Sequence, residues 1–127
     1  MDRPDVDPIQ VRAFLRAKRE RRQAALADRL ERARSDADRI RLRIAHELDP
    51  TRIYQWGSLL TGEHFSEISD IDFAIEGLSG PADYSRALDI AIEETSFPID
   101  IVQIDKLSPQ TRERIIRRGR IVYERAE

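Results

Sequence analysis

Three aspartates within apolar stretches are the residues of this chain best suited to chemistry: Asp70, Asp72 and Asp100. Asp70 and Asp72 flank Ile71 in the run Ser-Asp-Ile-Asp, and side chains two residues apart in a β-strand point to the same face. Their carboxylates therefore project together, while Ile71 and Phe73 face a core. Two carboxylates this close repel each other unless a cation lies between them. Mg²⁺ prefers carboxylate oxygens and leaves room for substrate phosphates, so it is the cation we expect.

Asp100 adds a third carboxylate from a second strand-like run, in which Ile99 and Ile101 would face the core. Three acids on adjacent strands suit two-metal phosphoryl transfer, in which one ion activates the attacking oxygen and the other holds the triphosphate and the leaving group. Gly57 and Ser58 end the preceding strand-like run. Glycine lets a phosphate approach the backbone, and Ser58 offers a hydroxyl and an N–H at a helix N-terminus. The chemistry indicated is magnesium-dependent transfer from a nucleoside triphosphate.

Each motif is common by itself, and the informative feature is their order along the chain. A strand leads to Gly-Ser, then to a loop, to Ser-Asp-Ile-Asp in a strand, to a helix, and finally to Ile-Asp-Ile. This combination resembles the nucleotidyltransferase superfamily with the DNA polymerase β fold, and in particular its minimal nucleotidyltransferase (MNT) branch. The resemblance covers residues 52–125 and implies a mixed β-sheet flanked by helices, in the α/β (α+β) class.

The resemblance also implies roles for the residues that carry it. The carboxylates that would bind two Mg²⁺ ions and carry the catalysis are Asp70, Asp72 and Asp100. The residues that would bind the nucleotide are Gly57, Ser58 and Ser69. Asp100 would also lie nearest the acceptor hydroxyl and act as its general base.

The activity implied by the resemblance is transfer of AMP from ATP to a hydroxyl, with release of pyrophosphate. The chain is too short for a separate acceptor-binding domain, so we expect the acceptor to be another protein. Proteins of the minimal branch often act as antitoxins of HEPN-type toxin RNases and can adenylylate a toxin tyrosine. A HEPN-type toxin is therefore the partner that the resemblance implies.

The loop after Gly-Ser departs from the family pattern. It is one residue longer than usual, and Leu59-Leu60-Thr61 stands where the minimal branch commonly has a basic residue and an alanine. The charge of the phosphates must then be met by another side chain, for which the candidates are Arg52, Arg86 and Lys106. His64, in the same loop, could contact a phosphate or could be a solvent-exposed residue without a role.

The site must be positioned by two unequal segments. Residues 9–48 contain no glycine or proline and are rich in helix-forming residues, so residues 1–49 are predicted to form a long helical arm and residues 50–127 the nucleotidyltransferase domain. Asp7 and Pro8 are typical of a helix start, and Asp49-Pro50 of a stop. The second half of the helix carries an apolar stripe and should pack on the domain, whereas the first half should project or fold back as a hairpin.

We expect Trp56 to pack against this long helix, although stacking on a base is the alternative.

The composition limits the partners, the kinds of metal site and the cellular compartment that we expect. The net charge of −2 gives no signal for nucleic acid or membrane, and the absence of cysteine excludes disulfides and thiolate metal sites. The N-terminus lacks the apolar core of a secretory signal, so we expect a cytoplasmic protein.

Two other functions remain open. Catalysis could be lost, leaving a binding module that uses the long helix and its apolar residues Val11, Phe14 and Leu15. The basic segments 16–22 and 112–120 could instead bind RNA phosphates, although solvated helix faces account for them more simply.

Overall fold

A computed structural model of the chain describes residues 7–62, 65–66 and 69–126, so His64 lies outside the described residues. The described part contains four α-helices, four strands and one turn of 3₁₀ helix. In chain order these are α1 (Pro8–Leu48), β1 (Arg52–Trp56), α2 (Ser58–Thr61), β2 (Ile71–Glu76), α3 (Pro81–Glu94), β3 (Ile99–Gln103), the 3₁₀ turn (Ile104–Lys106), α4 (Pro109–Arg118) and β4 (Arg120–Glu124). The sequence predicted this order, with the exceptions of α2 and the 3₁₀ turn.

Helix α1 starts and stops where the sequence predicts. The Asp7 carboxylate accepts a hydrogen bond from the Ile9 N–H at 2.9 Å, and Asp49 ends the helix in the left-handed conformation at φ 42°. The helix is continuous over its 41 residues, so the alternative of a hairpin is wrong.

The two halves of α1 have different surroundings. The buried residues of α1 all lie in its second half: Ala33, Ala37, Ile40 and Ile44. The first half is exposed, and we call residues 8–25 the arm. The second half belongs to the folded core, whereas the arm projects from it. Among the described residues, no helix has both the length and the apolar character needed to cross a membrane.

The four strands form one mixed sheet in the order β3-β2-β1-β4. Strand β1 pairs antiparallel with β2 and β4, while β2 pairs parallel with β3, which follows it through α3. This mixed sheet with flanking helices confirms the predicted fold class.

Strand alternation divides the core between the two faces of the sheet. Ile71, Phe73 and Ile75 of β2 pack in the larger cluster, which also contains the buried residues of α1 and α3. Ala74 points the other way, into a smaller cluster with Ile115 of α4. We call this second side the α4 face, and it is less completely covered than the first.

Ion pairs join α1 to α3 on the first side. Arg43 donates to Glu93 at 2.8 Å and to Glu94 at 3.0 Å, and Arg86 donates to Glu47 at 2.9 Å. These contacts fix the second half of α1 against the helix that connects β2 to β3.

Candidate active site

Asp72 and Asp100 lie side by side on the α4 face. In the parallel register of β2 and β3, Asp72 is opposite Asp100. Asp72 alternates with the inward-facing Ile71 and Phe73, and Asp100 with Ile99 and Ile101. Neighbouring strands lie about 4.8 Å apart. The sequence predicted this juxtaposition from the two apolar-Asp-apolar runs, and the strand register brings the two carboxylates together.

Asp70 immediately precedes β2, at the same end of the sheet. The Ile71 N–H donates to the Pro98 carbonyl at 2.8 Å, which ties this entry into β2 to the entry into β3. Burial, together with the negative charges of Asp100 and Asp70, raises the pKa of the Asp72 carboxyl to about 6. The electrostatic influence of both other acids on Asp72 means that all three contribute to one negative site.

Gly57 lies directly against Asp72. Its backbone has φ 83°, and a Cβ built there would overlap the Asp72 carboxylate, with the Asp72 Cγ only 3.1 Å away. Glycine is therefore required at this position by its backbone conformation and by the space that Asp72 occupies. The Gly-Ser turn and the carboxylates, separate motifs in the sequence, form one site.

Ser58 begins α2, a single helical turn, so it lies at a helix N-terminus as expected, although the predicted order of elements had only a loop here. Leu59 is fully buried in the larger cluster, and the Gly62 N–H donates to the Ser58 carbonyl at 2.8 Å. Arg34 of α1 donates from Nε to the Leu59 carbonyl at 3.1 Å. Sequence reasoning missed Arg34 because the contact joins positions 25 residues apart and depends on how α1 docks.

Ser69 orders the chain just before the aspartates. Its hydroxyl accepts a hydrogen bond from the Ser66 N–H at 2.9 Å, and its own N–H donates to the Ser66 carbonyl at 3.2 Å. The Ser69 side chain is thus occupied in a local turn that leads directly into Asp70.

The three candidate phosphate-binding cations lie elsewhere, so that interpretation is wrong. Arg52 binds Glu76 at 3.1 Å and Glu124 at 2.7 Å, at the far end of β2, about 13 Å from Asp72 at the usual rise per residue. Arg86 is held by Glu47 on the opposite side of the sheet. Lys106 follows the C-terminal end of β3, which is also the end away from the aspartates.

Trp56 does not pack against α1, contrary to expectation. It lies opposite Asp72 in the register of β1 and β2, and it packs with the smaller cluster on the α4 face. Alternation places Ile53 of β1 toward α1, so Trp56, three residues later, points the other way. The indole therefore flanks the carboxylates, with its Nε1 buried and without a hydrogen-bond partner among the described residues.

The carboxylates suit a hard cation by their chemistry. Within the described ranges, no three acidic or histidine side chains are gathered tightly enough to enclose a metal ion by themselves. Mg²⁺ does not need such an enclosure, because it is commonly held by one or two carboxylates together with waters and substrate phosphates. Asp72 and Asp100, adjacent and negatively charged, fit that mode.

Comparison with known proteins agrees with this geometry. The family model described as Polymerase beta, Nucleotidyltransferase matches residues 38–127, from the second half of α1 onward. No curated protein matches the chain.

Two solved structures share its fold. One carries the designation of minimal nucleotidyltransferase: it has a TM-score of 0.61 and 26% identity, over 72% of this chain and 93% of that chain. The other is a crystal structure of a toxin–antitoxin with AMP-PNP, with a TM-score of 0.56 and 17% identity, over 67% of this chain and 71% of that chain. With a family match over most of its length and a minimal nucleotidyltransferase among its structural neighbours, this chain belongs to the polymerase β nucleotidyltransferase family and fits its minimal branch.

Proposed function

We propose that this chain transfers AMP from ATP to a hydroxyl of a partner protein, and that it is the antitoxin of a HEPN-type toxin. The observation that carries the proposal is the pairing of Asp72 with Asp100 on one face, with Gly57 against Asp72. Adjacent carboxylates beside a glycine turn suit the binding of a metal-bound triphosphate. The structural neighbour solved with AMP-PNP supports ATP as the nucleotide.

The chemical step follows from these residues. The acceptor hydroxyl oxygen would attack the α-phosphorus of ATP, and the bond from that phosphorus to the pyrophosphate oxygen would break. Asp100, the exposed member of the pair, would take the hydroxyl proton, and pyrophosphate would leave. Asp70 and Asp72 would hold Mg²⁺ together with Asp100, and bound Mg²⁺ would neutralise the charge of the phosphates.

The turn from Gly57 to Ser58 would bind the triphosphate. With no side chain, Gly57 permits a close approach, and the Ser58 hydroxyl and backbone N–H would donate to phosphate oxygens. Ser69, which orders the turn before Asp70, would support the site through the backbone of that segment. Together these residues would orient the α-phosphorus toward Asp100.

The exposed surface of the arm supports the proposal that the acceptor is a protein. Its large apolar side chains are strongly exposed, with Ile9 at 75%, Phe14 at 61% and Leu15 at 51% of their full surface. The segment 16–22, which is basic apart from Ala17 and Glu20, continues the same half of α1. A partner that buries these apolar side chains would be held by α1, which itself packs against the nucleotide turn. The toxin–antitoxin neighbour supports a toxin as that partner.

A label-transfer assay tests this function. The full chain is incubated with Mg²⁺, ATP labelled at the α-phosphate and the protein encoded by the neighbouring gene. We expect label on the partner, and none when Asp72→Asn and Asp100→Asn are combined. Asp89→Asn, an exposed acid on α3, is the matched control and should retain full transfer. Transfer undiminished in the double variant would overturn the proposal.

A binding module without catalysis is the second candidate. The exposed arm favours it, as does the absence of a basic residue directly after Gly-Ser, where Leu59 is instead buried in the core. Calorimetry with Mg-ATP separates the two functions. Metal-dependent binding in the micromolar range would count against the binding module, whereas partner binding without nucleotide binding would favour it.

A further inference from the structure

We propose that Arg34 is a positioning residue that holds the nucleotide-binding turn from the long helix α1. This inference rests on the proposed function and adds to it the part of the molecule that fixes the Gly57-Ser58 turn. Residue 34 lies outside the motifs that define the site, and it precedes the part of the chain that the family model matches.

The contacts of Arg34 converge on the end of α2. Its Nε donates to the Leu59 carbonyl at 3.1 Å, and its Nη2 lies 3.5 Å from the Leu60 carbonyl. A helix leaves its last carbonyls without partners inside the helix, and a cation at that end is favourable. Arg34 therefore supplies both the hydrogen-bond donors and the charge that this isolated turn lacks.

The fork of a guanidinium explains why an arginine suits this position. It presents donors in a fixed plane, so that one side chain reaches two successive carbonyls, whereas a lysine ammonium is a single point on a flexible stem. The α2 turn is four residues long, too short to be stable without tertiary contacts. Contacts from α1, together with the burial of Leu59 in the core, hold it in place.

Gly62 lets α1 come this close. It ends α2 at φ 75°, and a Cβ built there would lie 3.1 Å from the Arg34 Nη2 and 3.4 Å from the Leu30 Cδ2. The buried Leu59 side chain adds a third contact with the core. The turn is thus fixed at its end by α1, and its beginning, Ser58, is one helical turn away.

This arrangement links the arm to the nucleotide. Helix α1 is continuous from the arm to Arg34, so a partner bound to the arm acts on the same rigid element that holds the turn. Leu59 and Leu60 follow Gly-Ser directly, and the guanidinium that reaches the turn comes from a distant helix. The functional consequence is that Arg34 should set the affinity for nucleotide without touching the reacting atoms.

The test compares Arg34→Ala, Arg34→Lys and Arg32→Ala in the full chain. Arg32 lies on the same helix in an exposed pair with Asp28, so its removal deletes the same charge and side chain without touching the turn. Calorimetry measures the Kd of Mg-ATP. We expect Arg34→Ala to raise it about tenfold, the effect of losing one hydrogen bond from a charged donor. Arg34→Lys should recover part of that loss, and Arg32→Ala should leave the Kd unchanged.

Two further measurements separate positioning from general destabilisation. Ile75→Val weakens the core at the end of β2 away from Asp72, and it should lower the melting temperature without changing the Kd. Hydrogen exchange of the Leu60 and Gly62 amides, which are bonded to Gly57 and Ser58, should accelerate in Arg34→Ala and not in Arg32→Ala.

The outcomes distinguish the two proposals. If the wild-type chain binds Mg-ATP and Arg34→Ala binds it equally well, the inference about Arg34 is overturned and the proposed function stands. If the wild-type chain binds no nucleotide, the proposed function fails. The exchange rates then decide whether Arg34 holds the turn: unchanged rates overturn the inference as well, and accelerated rates support it.

Discussion

The carboxylate of Asp72 occupies the space in which any side chain at position 57 would begin. A Cβ on Gly57 would lie 3.1 Å from the Asp72 Cγ and would overlap the carboxylate oxygen. The Gly57-Ser58 turn and the Asp72 carboxylate can therefore keep these positions only while residue 57 is glycine.

Gly57→Ala should consequently damage the site and the fold together. The backbone of residue 57, with φ 83° and ψ −168°, lies in a region that essentially only glycine adopts and disfavours an alanine by about 1–3 kcal/mol, and the overlap forces Asp72 to move. Urea unfolding should report the lost stability, and calorimetry should report a Kd for Mg-ATP raised by at least about tenfold. Gly80→Ala is the matched control, because nothing lies within 4 Å of its Cβ position. If Gly57→Ala behaves like Gly80→Ala, the proposed contact does not constrain the site.

The raised pKa of Asp72 predicts a specific dependence of stability on pH. The folded protein holds this proton up to about pH 6, whereas an unperturbed carboxyl loses it near pH 3.8. Between those values the folded state binds more protons than the unfolded state, so the contribution of Asp72 to the free energy of unfolding falls as pH rises. In metal-free buffer above pH 6, Asp72→Asn should therefore be more stable than wild type by about 1 kcal/mol, a value discounted because the side chain is only half-buried.

Chemical denaturation from pH 4 to pH 8 checks this dependence. Asp89→Asn should follow the wild-type profile, because Asp89 is exposed on α3. A constant difference between Asp72→Asn and wild type over the whole range would contradict the electrostatic account of the site.

The position of Trp56 provides an optical signal for the site. It is the single tryptophan of the chain, and it lies opposite Asp72 on the same face. Binding of Mg-ATP at the carboxylates should change the surroundings of the indole, so the tryptophan emission should change and saturate with nucleotide. Asp72→Asn should abolish the change. An emission spectrum unaffected by saturating Mg-ATP would exclude nucleotide from this face.

The arm should contribute to partner binding and not to stability. Phe14→Asp and Leu15→Asp change exposed side chains, so the free energy of unfolding should stay within about 0.5 kcal/mol of wild type. Ile44→Ala, in the buried half of the same helix, should cost about 2–5 kcal/mol. Denaturant unfolding measures both, and a partner-binding assay should show loss only for the arm variants. Substantial destabilisation by either arm variant would mean that the arm packs on the domain.

The sequence predicted the parts of the site that depend on local periodicity. Alternation in β2 and β3 was enough to place Ile71 and Phe73 inward and Asp72 outward, and the pairing with Asp100 followed from adjacent strands. Helix caps that depend on local hydrogen bonds, such as Asp7 at the start of α1, were also predicted from the sequence.

What the sequence could not supply are contacts between distant segments. Arg34 reaches α2 only because of how α1 docks, and Arg52, a candidate for phosphate binding, is held by glutamates at the opposite end of the sheet. Trp56 was assigned to the wrong face, although alternation from Ile53 would have placed it correctly.

The most direct test of the central claim is a calorimetric titration with Mg-ATP. We predict binding in the micromolar range that is lost with EDTA and lost when Asp72→Asn is combined with Asp100→Asn, while Asp89→Asn binds as wild type does. Absence of binding by the wild-type chain, or equal binding by the double variant, would contradict the claim that these paired carboxylates form a nucleotide site.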